Sequence, residues 1–163
     1  MGFKFAHQGL VLVLVAASMM GVSLASREWG SHHRHRPNNH TASPKRVIVG
    51  GSENWHFGVN YTDWSLKNAP FYLYDTLVFK YDPPSNTTFP HSVYLLPNMK
   101  SFLNCDLRKA KVIANPTQGS GNGFEFVLKK RKPYYLACGE RNGFHCRVGL
   151  MKFAVVPMRR WRH

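Results

Sequence analysis

Sulfur and imidazole side chains gather near the C-terminal end of this sequence. Cys138, His145 and Met151 follow one another in the segment YYLACGERNGFHCRVGLMKFAVV, and His91 opens the strand-like run HSVYLL well upstream. Two imidazoles, one thiolate and a distant thioether are the ligand set of a blue-copper site. Because a thiolate suits both oxidation states of copper, the predicted chemistry is the exchange of one electron. Zinc or another ion would accept the same residue types, so the residues alone leave the metal open.

The number of cysteines bears on this prediction. The sequence has 3 cysteines, Cys105, Cys138 and Cys146, and an odd number in a chain bound for an oxidising compartment leaves one thiol with another role. That role is either pairing between two molecules or a metal thiolate. If Cys138 binds metal, Cys105 and Cys146 are left to form one disulfide.

Two of the ligand candidates also have an ordinary structural explanation. Met151 lies in an apolar run between Leu150 and Phe153, where methionine is more often a core residue, and a lone His91 before a strand is more often on the surface. Their joint occurrence with the odd cysteine favours a metal site.

The elements that must position these residues have the pattern of strands. Seven short β-branched and aromatic runs alternate with turn residues. These runs are VIVGG, DTLVFKYDPP, HSVYLL, AKVIA, GFEFVLKK, PYYLAC and LMKFAVV. In the second run Leu77, Phe79 and Tyr81 share one face, and two packed sheets bury such faces. We therefore predict an all-β Greek-key sandwich of about seven antiparallel strands, with one or two short helical turns near 63–67 and 101–109.

The two ends of the chain differ in composition from this domain. Residues 1–25 begin with a basic residue, continue into an apolar run and end on small residues, which predicts a secretory signal peptide. Residues 26–45 form a polar arm with four histidines, which we expect to be disordered and either to recruit copper or to act as a solvated linker. The domain is predicted at 46–157. A basic tail at 158–163 follows, without an apolar anchor signal.

Charge and sequons indicate the environment of the mature protein. Without the one lysine of the signal peptide, the 22 basic residues become 21 against 8 acidic ones, a net charge of +13. We expect an anionic cell-wall polysaccharide or a redox partner, a monomer, no nucleic acid and no stable membrane anchor. The run 129–132, KKRK, is interpreted as a solvated turn between strands. N-x-S/T sequons at Asn39, Asn60 and Asn86 predict glycosylation in loops of a secreted chain.

The sequence resembles the phytocyanins, the secreted blue-copper proteins of plants, over about residues 47–157. The resemblance is carried by VGGSENWHFGVNYTDW, by PFYLYDTLVFKYDPP and HSVYLL, and by the sulfur-rich segment quoted above. It implies a cupredoxin sandwich that binds one type 1 copper ion. It also implies His91, Cys138, His145 and Met151 as the copper ligands and a disulfide between Cys105 and Cys146.

The ligand segment is longer here than the family pattern. Phytocyanins commonly have four residues between the cysteine and the second histidine and four more before the axial ligand, whereas this chain has 139–144 and 146–150 at those places. Gly139, Asn142 and Gly143 predict a turn that takes the extra residues outward.

Two functions follow from these observations. The leading hypothesis is a secreted copper protein that transfers one electron at the cell wall, in the apoplast. Because four protein ligands leave no open metal position, and because no Ser-His-Asp order or phosphate loop occurs, no enzyme activity is expected. The alternative is a non-catalytic protein that binds polysaccharide or a signalling partner, with copper incidental or absent. The presence of all four ligand candidates favours copper.

Overall fold

Strands dominate the part of the chain that the computed structural model describes, residues 43–160. The predicted signal peptide, Asn39 and most of the arm at 26–45 lie outside the described residues. The strands are β1 Arg46–Ile48, β2 Thr76–Phe79, β3 Val93–Leu96, β4 Lys111–Ala114, β5 Phe124–Val127, β6 Tyr134–Ala137 and β7 Lys152–Val155. Each strand overlaps one of the seven predicted runs, so the strand prediction is confirmed.

The strands form two sheets, which the chain visits in turn. One sheet has the order β1-β2-β5 and the other the order β4-β3-β6-β7. The pairs of the second sheet and the pair β2–β5 are antiparallel, whereas β1 runs parallel to β2. The prediction of antiparallel strands throughout is therefore wrong at β1. A parallel pair needs a long crossover connection, and residues 49–75 supply it.

Three short α-helices accompany the sheets: α1 Tyr61–Lys67, α2 Met99–Asn104 and α3 Glu140–Arg147. The first two correspond to the predicted helical turns. Each begins where an asparagine side chain accepts a backbone N–H, Asn60 from Asp63 and Asn98 from Ser101. Helix α3 was not predicted, and it lies inside the ligand segment.

Aromatic residues fill the core between the sheets. Phe79 is fully buried, as the alternation of its strand predicts. Trp55 meets Phe79 and Phe153 edge to face, with ring centroids 5.2 and 6.1 Å away. Trp64 of α1 meets Phe153 at 5.3 Å, which packs the helix against β7. These edge-to-face contacts stabilise the sandwich beyond the burial of area alone.

The packed domain extends past the predicted boundary at 157. The backbone N–H of Met158 donates to the Phe71 carbonyl, and the Met158 carbonyl accepts from the N–H of Leu73. Arg160 donates to the buried carboxylate of Asp75. Residues 158–160 of the predicted tail therefore belong to the domain. Within 43–160, no helix has the length and apolar character needed to cross a bilayer.

Candidate metal centre

Three predicted ligands meet at one end of the sandwich. His91 lies two residues before β3, and Cys138 directly follows β6. These strands are antiparallel neighbours, with Tyr94 opposite Ala137, so the start of one lies beside the end of the other. His145 reaches the same place from α3. The sandwich thus brings together residues that are 47 positions apart in sequence.

The donor atoms of these residues converge in a buried site. The Cys138 Sγ lies 4.0 Å from the His91 Nδ1 and 3.6 Å from the His145 Nδ1. All three donor atoms lie within 4.8 Å of one another, and in the described part of the chain no other group of histidine, cysteine and acidic residues is arranged in this way. The exposed fractions are 0% for Cys138, 6% for His91 and 3% for His145. One soft sulfur and two imidazoles at these separations fit a single copper ion.

Burial sets the protonation states of the three donors. It lowers the pKa of His91 to about 4, and a positive charge on the neighbouring His145 acts in the same direction. Burial also lowers the pKa of His145. Both rings are therefore neutral near pH 7 and offer a lone pair. Burial raises the pKa of the Cys138 thiol to about 11, while backbone hydrogen bonds from Ser92 and Glu140 oppose that rise. Binding of a metal to this thiol requires loss of its proton.

Ser92 connects the site to the core. The indole N–H of Trp55 donates to the Ser92 carbonyl at 3.1 Å, and the backbone N–H of Gly139 donates to the Ser92 hydroxyl at 3.3 Å. Ser92 follows His91 and Gly139 follows Cys138. These bonds fix the backbone beside both ligands, which is how a scaffold holds metal donors in place before the ion arrives.

The backbone of Met151, the fourth predicted ligand, is hydrogen-bonded to that of two of the other three. Its side chain is fully buried. Its N–H donates to the His145 carbonyl at 3.1 Å, and its carbonyl accepts from the Cys138 N–H at 2.9 Å. The backbone of Met151 is therefore tied to two of the ligand candidates.

The ligand segment folds into α3 with a left-handed turn inside it. Arg141, Asn142 and Gly143 have φ values of 51°, 52° and 78°. Arg141 and Asn142 are exposed, as expected for a turn that takes the extra residues outward. The sequence analysis missed the helical turns because two glycines and an asparagine favour turns over helices. After the left-handed turn, the helix carries His145 and Cys146 inward.

The predicted disulfide is present. Cys105 and Cys146 are bonded, with their Cα atoms 5.9 Å apart, and Cys138 is free. Cys105 follows α2 and Cys146 directly follows His145, so the bridge attaches the ligand-bearing helix to α2. The interpretation of the odd cysteine is confirmed for the residues that the structure describes.

Exposed apolar residues border the site, and the sequence analysis missed them. We call Phe57, Phe89, Phe144 and Val148 the apolar face. Phe57 stacks on Phe144 with centroids 5.8 Å apart, and its ring meets the His145 ring at 5.2 Å. The apolar face and both ligand imidazoles line a cavity of about 550 Å³. Phe144 and Val148 lie close to His145 in sequence, and this proximity was the one available sign of an apolar surface. Phe57 and Phe89 come from distant loops and gave no such sign.

A two-sheet sandwich with two buried imidazoles and a buried cysteine thiol at one end defines a blue-copper protein, or cupredoxin. The likeness of this chain to cucumber basic protein supports this class. Cucumber basic protein, described as a blue copper protein, shares 30% identity with a TM-score of 0.52 and covers 69% of this chain and 99% of its own. Cucumber stellacyanin shares 20% identity with a TM-score of 0.54 and covers 72% and 98%. Spinach plantacyanin shares 23% identity with a TM-score of 0.46 and covers 71% and 100%.

A scan against protein-family models finds no match, and a search of curated proteins finds none either. The identity and coverage of cucumber basic protein nevertheless establish the family: the chain belongs to the phytocyanins. Its cofactor is one copper ion, in agreement with the donor set of His91, Cys138 and His145.

Proposed function

We propose that this protein is an extracellular type 1 copper protein that exchanges single electrons with a partner molecule. The convergence of the His91, Cys138 and His145 donors in a buried site carries the proposal. Bound copper supplies the one-electron exchange between its two oxidation states. The chain holds the donors in place and keeps water away from them, which limits rearrangement during the exchange.

Met151 is proposed as the weak axial ligand. Its complete burial and its backbone bonds to His145 and Cys138 support this role. With Met151, four protein side chains would hold the ion, and a site filled in this way would leave no position for a substrate. This supports an electron carrier without enzyme activity, because catalysis at a metal needs an open position.

The apolar face is the proposed contact for the redox partner. Phe57 is 40% exposed and Phe89 66%, and both border the cavity above the ligand imidazoles. Small interfaces suit electron-transfer encounters, which must form and separate quickly. The guanidinium of Arg141 lies 5.4 Å from the Phe89 ring centroid and adds one charge at the rim.

Secretion to the apoplast or cell wall is supported by the predicted signal peptide and by the disulfide, which persists in oxidising compartments. Glycosylation is proposed at Asn39, Asn60 and Asn86. Asn60 and Asn86 are exposed, as an oligosaccharide acceptor must be, and Asn39 lies outside the described residues.

Titration with Cu(II) tests the function. The wild-type protein is expected to develop the intense thiolate-to-copper absorption of a blue site with one equivalent of copper, and Cys138→Ser is expected to abolish it. His91→Gln should also lose this absorption, whereas the matched His56→Gln should keep it, because His56 is exposed and outside the donor group. A wild-type protein that stays colourless would contradict the proposed function.

A further inference from the structure

The end of the sandwich opposite the metal centre is strongly basic. Strands β2 and β6 begin at this end. Strand β5 ends here, because its last residue Val127 pairs with Thr76, the first residue of β2. Strand β7 also finishes there, since Tyr134 pairs with Val155. We call the exposed cations of this end the basic pole: Lys45, Lys129, Lys130, Arg131, Lys132 and Arg159.

Asp75 holds three parts of the basic pole together. Its carboxylate accepts from the Lys45 N–H at 2.8 Å and from Arg160, and its backbone carbonyl accepts from the Leu128 N–H at 2.9 Å. The start of the domain, the run 129–132 and the C-terminal residues therefore meet at one buried residue. Because the carboxylate of Asp75 is already paired with the Arg160 guanidinium, its charge does little to offset the other cations of this end.

A cavity of about 430 Å³ opens within the basic pole. Lys129, Lys130 and Lys132 line it, and the rings of Phe126 and Tyr134 contribute to its wall. The Lys132 ammonium lies 5.8 Å from the Tyr134 ring centroid. Within the described residues, no salt bridge involves any of the three lysines. These ammonium groups therefore remain available to an external anion.

Glu125, the acidic residue of the cavity, is already paired. Its carboxylate lies 2.8 Å from the Arg46 guanidinium. The backbone N–H of Tyr74 donates to the Leu128 carbonyl at 2.9 Å, and Tyr74 is 59% exposed. The basic pole thus combines unpaired cations with an exposed aromatic ring.

We propose that the basic pole binds an acidic polysaccharide built of uronic acids. Carboxylates repeated along such a chain match several lysines at once. The nonpolar C–H side of a sugar ring fits against Tyr74 or Phe126. A concave site accommodates one thin polymer chain better than it accommodates a flat bilayer surface. The net charge of +13 expected for the mature protein draws such a polymer from a distance, and the cavity gives it a place to bind.

The position of the basic pole leaves the metal centre free. Residues 134–138 join Tyr134 in the cavity wall to Cys138 at the metal centre, which is roughly 13 Å along a strand. A bound polysaccharide therefore holds the protein by one end, with the apolar face at the other. This inference does not depend on the proposed electron transfer, because none of the basic pole residues is a ligand candidate.

The test measures binding of the copper-loaded protein to polygalacturonate by calorimetry and by the salt concentration that elutes it from the immobilised polymer. Replacing three lysines of the cavity, Lys129→Gln, Lys130→Gln and Lys132→Gln, should weaken binding about tenfold or more and lower the eluting salt concentration. The matched triple Lys100→Gln, Lys109→Gln and Lys111→Gln removes the same charge from exposed positions outside the cavity. It should weaken binding no more than about twofold.

Three further measurements make the outcome decisive. Fully methyl-esterified polygalacturonate should not bind, and Tyr74→Ala should weaken binding to polygalacturonate but not to inorganic polyphosphate. Equal losses in the two lysine triples would overturn the proposal, because diffuse attraction by net charge would then be sufficient. Tighter binding to RNA or to anionic phospholipid vesicles would overturn the assignment to a polysaccharide. Retention of a protein that never turns blue would contradict the electron-transfer function and leave this inference standing.

Discussion

Small residues in the ligand segment allow aromatic rings to pack closely against its backbone. A Cβ on Gly139 would lie 2.2 Å from a ring carbon of Tyr94. A Cβ on Gly149 would lie 2.4 Å from the Phe57 ring and 2.7 Å from the His145 carbonyl. Both glycines are buried. They are therefore required by the close approach of Tyr94 to Gly139 and of Phe57 to Gly149.

Gly139→Ala is expected to destabilise the protein by about 1–3 kcal/mol, the usual range for an added carbon in a packed site. It should also weaken copper binding, because Gly139 directly follows Cys138. Urea unfolding of the copper-free protein measures the first effect. Adding Tyr94→Leu to this variant should restore part of the lost stability. If the double variant loses as much free energy of unfolding as the two single variants lose together, the ring contact is not the cause.

Met151→Leu tests the axial ligand at the same scale. Leucine has a similar volume, so the fold should be retained and copper should remain bound. Cu(II) depends more than Cu(I) on having a fourth donor, so loss of the thioether should raise the reduction potential, which blue-copper sites tune through this ligand. Cyclic voltammetry measures it, and Met158→Leu, at a residue 47% exposed, is the matched control. A potential unchanged from wild type would show that Met151 is not a ligand.

At the scale of elements, the disulfide and α3 substitute for a regular ligand loop. The turn at Arg141, Asn142 and Gly143 is left-handed and offers few hydrogen bonds of its own. The bridge from Cys146 to Cys105 and the backbone bond from Met151 to His145 hold the part of the helix that follows this turn. The longer ligand segment is thus fixed by cross-links to α2 and β7.

Replacing both bridged cysteines, Cys105→Ala with Cys146→Ala, should lower the free energy of unfolding by roughly 4 kcal/mol. A bridge between positions 41 apart restricts the unfolded chain by about that amount in the chain-entropy model. The double change leaves no new thiol to compete with Cys138. Urea unfolding of the copper-free forms gives the comparison without the contribution of bound metal. A loss below about 1 kcal/mol would show that the remaining contacts of α3 are sufficient to order it.

Local patterns account for what the sequence could predict at this scale. Short β-branched and aromatic runs between turn residues are visible locally in the sequence, so all seven strands were found. The parallel pairing of β1 with β2 depends on a partner that the pattern of β1 does not name. Helix α3 was hidden by Gly139, Asn142 and Gly143. Cys138 was found because the number of cysteines is odd, whereas Phe57 and Phe89 join the site only after folding.

The domain described by residues 43–160 has the metal centre at one end, and its first and last residues are held together at the other. Asp75 accepts hydrogen bonds from the backbone of Lys45 and Tyr72 and from the side chain of Arg160. These partners precede β1, precede β2 and follow β7. Since Asp75 and Arg160 are 85 positions apart, the sequence could not predict this contact.

Asp75→Asn should therefore lower the free energy of unfolding by about 3 kcal/mol, because it removes the charge that a largely buried Arg160 faces. The matched control is Glu125→Gln, which removes a carboxylate paired with Arg46 at 2.8 Å where both side chains are about half exposed. It should cost under about 1 kcal/mol, because solvent screens an exposed pair. Both are measured by urea unfolding of copper-free protein.

Copper binding by folded Asp75→Asn should match wild type, since the change lies at the far end of the sandwich. Equal losses in the two variants would contradict closure through Asp75, and a loss of blue colour in the folded variant would mean that the two ends of the sandwich are coupled.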